Sequence, residues 1–475
     1  MPTISPLAAA SPALRLTGLA SDPRLDAIRA KVEAGERLSL DDGDVLFTTP
    51  DIWTVCEMAD AVRRRLHGDA AYYNINRHIN YSNVCALSCK FCAFYRKRGD
   101  EGAYEMDVAT IVEEARKAAA NGATECHIVG GLHPYMPFSY YTDMLAAIRD
   151  AVPQLHLKAF TAVEIVHLAR IAKVYKNTTE GRRDAIRHVL TELKKAGLGS
   201  LPGGGAEVFD DRVHDEAFKG KIRSDVWLDV HTIAHEIGLN TNATILYGHI
   251  EQRHERLVHM DMLRRVQDEA LARMGYAGVE VSRCQGANGA GNHAAAGSGR
   301  LGDAGDAGAD APVITLTSPG TPLPEQLAFG SSSSPRNLAT STPASPGYFQ
   351  TIIPLPFFPD ESELEHLPGP TGLENLRTLA VARLMLDNFP HVKAFWIMQT
   401  LGMAQTMLQC GADDIDGTVV WYDITKVGGA GTHQETTVLD LQRAIREAGF
   451  VPVERDTLYR RVTRRKSDPA DWLVE

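Results

Sequence analysis

From Asn74 onward the chain alternates short apolar runs with helix-period segments, and this rhythm limits the possible folds more than any other feature. Eight runs have the length and composition of strands: Arg77–Ser82, Glu125–Gly130, Leu155–Thr161, Gly199–Pro202, Asn240–Leu246, Thr351–Phe357, Val392–Ile397 and Asp416–Val420. Most precede segments with apolar residues at helical spacing, among them Val108–Ala120, Tyr140–Val152, Arg187–Ala196, Ser224–Ile237 and Glu255–Ala272. Strands joined through helices run parallel, because each crossover returns the chain to the same end of the sheet. Eight such units predict an α/β fold, a TIM-type (β/α)8 barrel whose chemistry sits at the C-terminal ends of its strands.

Residues 1–21 read as a flexible tail and 22–73 as an N-terminal helical segment, with apolar positions at Leu25, Ile28, Val32, Val55, Met58 and Val62. The barrel is expected over 74–273 and 347–449, with a C-terminal tail over 450–475. Between the two barrel parts, 274–346 is rich in Gly, Ala, Ser and Pro and has no period. Compact domains rarely hold a structureless loop of that length, so it reads as a disordered insertion.

Net charge is −11, which excludes a general nucleic-acid binder. No apolar run approaches the ~20 residues of a membrane span. No Lys or Arg precedes Arg15, so the charged start of a secretory signal is missing and a cytoplasmic location is expected.

There are seven cysteines, and Cys85, Cys89 and Cys92 crowd onto one loop directly after the first predicted strand. An odd number with this crowding is unlike a secreted disulfide framework and points to a metal site. Three thiolates can hold three corners of an iron–sulfur cube and leave its fourth iron open to a ligand. Structural zinc is the alternative, but it needs four closed ligands, and the nearby His78 precedes the loop on a strand. Cys126 and Cys410 read as small core residues.

Three residues between the first two cysteines, then two, with Phe91 just before the third, resemble the radical S-adenosylmethionine (SAM) superfamily. The segments Asn76–Asn80, His127–Pro134, Lys158–Glu164, Leu201–Glu207, Asn242–His249 and Leu367–Gly372 together resemble the aminofutalosine (aminodeoxyfutalosine) synthases of menaquinone biosynthesis. The resemblance implies a [4Fe-4S] cluster on Cys85, Cys89 and Cys92, with SAM as co-substrate. It further implies a one-electron donor such as flavodoxin or ferredoxin. The implied reaction adds the 5′-deoxyadenosyl radical to the enol-ether double bond of 3-[(1-carboxyvinyl)oxy]benzoate. It yields 6-amino-6-deoxyfutalosine and releases methionine and CO2 or bicarbonate. Dehypoxanthine futalosine cyclase and FO-synthase-like enzymes share the cysteine spacing and stand as the alternative. A non-enzymatic iron–sulfur electron carrier is the third reading.

The resemblance suggests that Gly130 and Gly131 cradle the methionine end of SAM, although Leu132 stands where that motif usually has an acid. Glu164 and Glu207 follow strands and are expected to hold SAM hydroxyls or its ammonium, or else to cap helices. Strand alternation turns Asn242 inward as a SAM contact, and Phe91 packs on adenine or shields the cluster. His133, at a strand mouth, is a candidate for substrate contact or proton transfer. Arg77 and His78 face opposite ways on one strand. His78 is the preferred inward cation for a substrate with two carboxylates, because Asn80 and Ser82 share its face.

Overall fold

The computed structural model describes residues 22–276, 345–419, 435–464 and 473–474. The insertion expected at 274–346 therefore lies, apart from its edges, outside the described residues, as does the tail 1–21. Three helices, Arg24–Ala34, Leu40–Thr48 and Ile52–His67, form the predicted lead-in. Asp51 caps the third by accepting from the Thr54 amide at 3.1 Å, and its buried face packs on the helix Gly372–Met385.

The lead-in ends sooner than expected. Residues Ala70–Asn74 form a strand, β1, and the chain continues across Ile75 into β2, Asn76–Ile79. Then follow β3 Glu125–Ile128, β4 His156–Ala159, β5 Ser200–Leu201, β6 Asn240–Tyr247, β7 Phe349–Pro356 and β8 His391–Val392. β2 to β8 build one seven-stranded parallel sheet in chain order. Most helices lie within about two residues of their predicted ends. One begins much earlier, at Thr179 rather than near Arg187. Its polar first turns show no apolar period, and ion pairs hold them instead: Arg182 to Asp229 at 2.7 Å, and Arg183 to the same carboxylate.

Closure differs from an eight-stranded ring. β8 ends at Val392, and the last two residues of the expected strand, Trp396 and Ile397, instead open the helical turn Trp396–Gln399. β9, Asp414–Gly417, has a Lys393–Asp414 bridge just past β8 and pairs in parallel with β1. β10, Val451–Glu454, lines the other side of β1, giving the order β10-β1-β9. Thus part of the expected C-terminal tail is a strand. Pro452 is tolerated there because β10 is an edge. The Thr418 amide donates to Asn74 O at 3.2 Å and the Val419 amide to Asn76 Oδ1 at 2.9 Å, so β1 and β2 tie the late strands back to the first. The result is a seven-stranded parallel partial barrel completed by a small second sheet. No helix among the described residues is long and apolar enough to cross a membrane.

Candidate active site

The loop between β2 and the helix Val108–Ala120 carries the three crowded cysteines. Distant segments anchor it. The Ala86 amide donates to Leu132 O at 2.9 Å, Lys90 to Ala217 O at 3.0 Å, and Glu363 back to Lys90 O at 2.8 Å. Lys97 Nζ donates to Cys85 O and Leu87 O, and the Leu132 amide donates to Cys85 Sγ at 3.4 Å. Gly130 and Gly131 pass directly beneath. A Cβ on Gly130 would sit 2.7 Å from the Tyr81 ring, and one on Gly131 would sit 2.4 Å from Val84 O. Glycine is required here by the approach of the cysteine loop's own backbone.

Cys85, Cys89 and Cys92 line one cavity of about 260 Å³ at the C-terminal ends of the strands. Phe91, Gly130, Gly131, Glu164 and Glu207 line it too. Burial pushes the Cys89 thiol up to about 11, against the pull of the neighbouring Lys221. A bound cation removes that penalty, because it takes the thiolate in place of the proton. Among the described residues no fourth Cys and no His shares the lining. This donor set fits a cluster that keeps one iron open, and does not fit closed tetrahedral zinc.

Lys221 has no counterpart in the sequence expectations. Its Nζ pairs with Glu207, lies 4.7 Å from the centre of the Phe91 ring and lines the cavity. Desolvation lowers its pKa, but Glu207 and the Cys89 and Cys92 sulfurs more than offset this and raise it. Glu207 is therefore committed to a lysine, in a backbone conformation with φ of +51°. Phe91 also meets Phe218 edge-on at 6.1 Å.

Glu164 caps a helix, one of the two roles expected as alternatives, and also lines the cavity. One carboxylate oxygen closes a capping box, accepting from the Thr161 amide at 2.7 Å and from its hydroxyl at 2.8 Å. The other accepts from Tyr81 Oη at 2.8 Å and from the Gly130 amide at 3.1 Å. Burial pushes this carboxyl up to about 7, and the four donors only partly restrain it.

His133 lies outside both cavities described here. Its Nε2 meets Glu105 at 2.8 Å, and its Nδ1 accepts from the Tyr135 and Met136 amides. Those bonds organise the turn after Leu132.

A second chamber adjoins the first, sharing Val129, Thr161, Gly204, Thr244 and Leu355 with it. Asn242 and His78 line this chamber, while Arg77 turns outward to Glu114. His78 stacks on His127 with ring centres 4.3 Å apart. Burial drops His78 to about 4, so it faces inward as expected but is neutral at pH 7. The cations here are Lys158, paired with Glu125 at 2.8 Å, and Lys393, paired with Asp416 at 2.9 Å. A lysine inside a buried parallel strand was a legible signal for Lys158. The predicted strand Val392–Ile397 carried the same signal for Lys393, whereas Lys221 reaches its place only through tertiary structure.

Over 445 residues the chain is 38% identical to aminodeoxyfutalosine synthase of Thermus thermophilus, covering 93% of this chain and 96% of that protein. It belongs to the aminodeoxyfutalosine synthase family. The Streptomyces coelicolor enzyme of the same name is 35% identical, with 91% and 92% covered. Outside that family, 5-amino-6-(D-ribitylamino)uracil–L-tyrosine 4-hydroxyphenyl transferase of Methanothermobacter thermautotrophicus is 29% identical, with 87% and 91% covered. The Radical SAM superfamily model matches residues 79–263, and the CofH/MqnC C-terminal region model matches 346–467. Methylornithine synthase shares the fold at TM-score 0.55 and 13% identity, covering 90% of this chain and 97% of its own. This member of the aminodeoxyfutalosine synthase family is thus a radical SAM enzyme of the futalosine pathway, and its superfamily implies a [4Fe-4S] cluster and SAM.

Proposed function

We propose that the chain joins the 5′-deoxyadenosyl group of SAM to 3-[(1-carboxyvinyl)oxy]benzoate at the enol-ether double bond. The products are 6-amino-6-deoxyfutalosine, methionine and CO2 or bicarbonate. The observation that carries this reading is a cavity lined by three thiols of one loop, opening onto a chamber with its own cations. When bound, a [4Fe-4S] cluster on Cys85, Cys89 and Cys92 supplies the electron that cleaves SAM. A one-electron donor such as flavodoxin or ferredoxin belongs to the same proposal.

The chain's own residues bind and orient. Gly130, Gly131 and Glu164 form the wall for the methionine end of SAM, with Glu164 ionising to meet its ammonium. Lys221 neutralises Glu207 and lends positive charge beside the sulfurs. Phe91 completes the SAM wall, whereas Asn242 lines the inner chamber. Leu87, Val129, Leu246 and Leu355 line the cavity and keep water from a reactive carbon centre. His78 enters as a neutral hydrogen-bonding group, and His133 as a positioning residue for the turn after the glycines. Free thiols at Cys56, Cys126 and Cys410 suit a reducing, cytoplasmic setting.

The test is anaerobic incubation of reconstituted, reduced protein with SAM and 3-[(1-carboxyvinyl)oxy]benzoate, followed by mass spectrometry. The expected result is an adduct joining both skeletons, lost together with iron loading in Cys85→Ala and retained in Cys126→Ala. Free 5′-deoxyadenosine without adduct moves the assignment to a hydrogen-abstracting relative such as dehypoxanthine futalosine cyclase. Neither product from fully loaded protein leaves an electron carrier.

A further inference from the structure

The inner chamber is divided chemically. Val129, Ile353, Leu355 and Phe395 give it an apolar wall. Lys158, Lys393 and their partners Glu125 and Asp416 give it a charged one. β-Register explains part of this. His78, His127 and Lys158 are direct neighbours across β2, β3 and β4, so three nitrogen-bearing side chains share one row. Lys393 arrives from the far side, just past β8. Alternation on β6 adds Asn242, whose amide faces the chamber without a hydrogen-bond partner among the described residues.

Burying ion pairs is expensive, and burying them against an open chamber is rarely a stability device. Each lysine makes one hydrogen bond to its carboxylate and has two further N–H groups. The histidine row adds no charge, because burial holds both rings neutral. The chamber therefore offers unused donors on two cations and one amide, beside a surface for a flat apolar group. It opens toward the thiol-lined cavity.

We propose that Lys158, Lys393 and Asn242 bind the ring carboxylate of an aryl enol-ether diacid, with the ring against the apolar wall and the enol carbon directed at the thiol-lined cavity. This assignment rests on the reaction proposed above. It makes the chamber the specificity site for a carboxylate on the aromatic ring. An aryl substrate lacking that carboxylate leaves the spare N–H donors of two buried lysines without an acceptor.

The experiment pairs a ligand change with residue changes. Holoenzyme with SAM is titrated with 3-[(1-carboxyvinyl)oxy]benzoate and with the same ether lacking the ring carboxylate, reading both equilibrium binding and the KM for adduct formation. The wild type should prefer the diacid on the order of 100-fold. Lys393→Gln and Asn242→Leu should shrink that ratio to within about tenfold, chiefly through the diacid. The wild-type comparison needs no variant, so a poorly folding Lys393→Gln does not spoil the test. A wild type that binds both ethers equally overturns the assignment, as does a folded Lys393→Gln that keeps the full ratio. Turnover with a flat ratio sinks this site and leaves the reaction standing. A steep ratio in binding without adduct sinks the reaction and leaves the site.

Discussion

Where β8, β9 and β1 meet, Asp413 accepts from the Val392 amide at 2.8 Å, from His391 Nδ1 at 2.6 Å and from Arg383. Beside it, Arg455 Nε donates to Asp414 at 2.6 Å and stacks over Tyr459. At the mouth, by contrast, Glu164 is buried among uncharged donors, and burial lifts its carboxyl to about 7. Both regions hide carboxylates from water, but only the seam provides each with a guanidinium. His67, His391 and Asp413 even have the ligand types and spacing of a metal site, yet Arg383 already supplies the positive charge there. The comparison teaches how to sort buried charge in this molecule. At these two places the carboxylates matched by a guanidinium fix strands, and Glu164, left short of counter-charge, is prepared for a charged ligand.

The strongest way to break this contrast is at the seam. Arg383→Met leaves Asp413 buried with its main cation gone, and also removes donors to Gly411 O and Pro390 O. Loss of one partner of a buried pair costs about 3–5 kcal/mol, so denaturant unfolding should show a drop of that size. The double variant Arg383→Met/Asp413→Asn should recover part of it. An Arg383→Met protein of wild-type stability would mean that the Val392 amide and the two histidines already compensate Asp413.

How far these regions were legible in the sequence follows from the same contrast. The cysteine loop is local, so its place after the first main-sheet strand could be read from spacing alone. Helix Val108–Ala120 was readable to the residue because its amphipathic period and its Asp107 cap agree. The seam was not readable. β1 is only five residues long and follows the last lead-in helix after just Gly68 and Asp69, and β10 is a short edge strand with a proline. Their pairing joins residues more than 300 positions apart, and no local pattern encodes it. At the site, Glu164 and Asn242 could be found because strand-end position and alternation are local rules. Lys221 comes from an irregular stretch, and only the fold brings it to the cavity. His78 was turned correctly by alternation, but alternation carries no information about burial, and burial takes away its charge.

Glu164 offers a smaller effect with a definite sign. Its carboxyl rises to about 7 in the folded protein, so the folded state holds the proton more tightly than the unfolded chain does. This contribution to stability is fully present below the usual pKa near 4.5 and is lost as pH rises through 7. The difference in stability between wild type and Glu164→Gln should therefore fall by about 3 kcal/mol between pH 4.5 and 7.5. Taking the difference cancels His78 and His156, whose lowered pKa values act in the opposite direction. SAM should flatten the curve, since its ammonium favours the ionised carboxylate. A pH-independent difference without SAM would show that the Thr161, Tyr81 and Gly130 donors already stabilise the charge, placing Glu164 with the seam carboxylates.

Phe91 sharpens the comparison at its weakest point. Its ring sits under Lys221 and meets Phe218 edge-on, so it contributes a cation–π contact and an aromatic contact to the lysine that serves Glu207. Phe91→Leu keeps most of the apolar volume and removes the π face. The expected loss is about 1 kcal/mol, read as a small decrease in the denaturant midpoint with unchanged slope. Iron loading should remain complete, because the thiols sit on backbone anchored at Leu132, Ala217 and Glu363 and do not depend on this ring. A variant that folds normally but loads little iron would instead make Phe91 a shield of the thiol cavity. The mouth would then depend on side-chain packing as closely as the seam depends on its ion pairs.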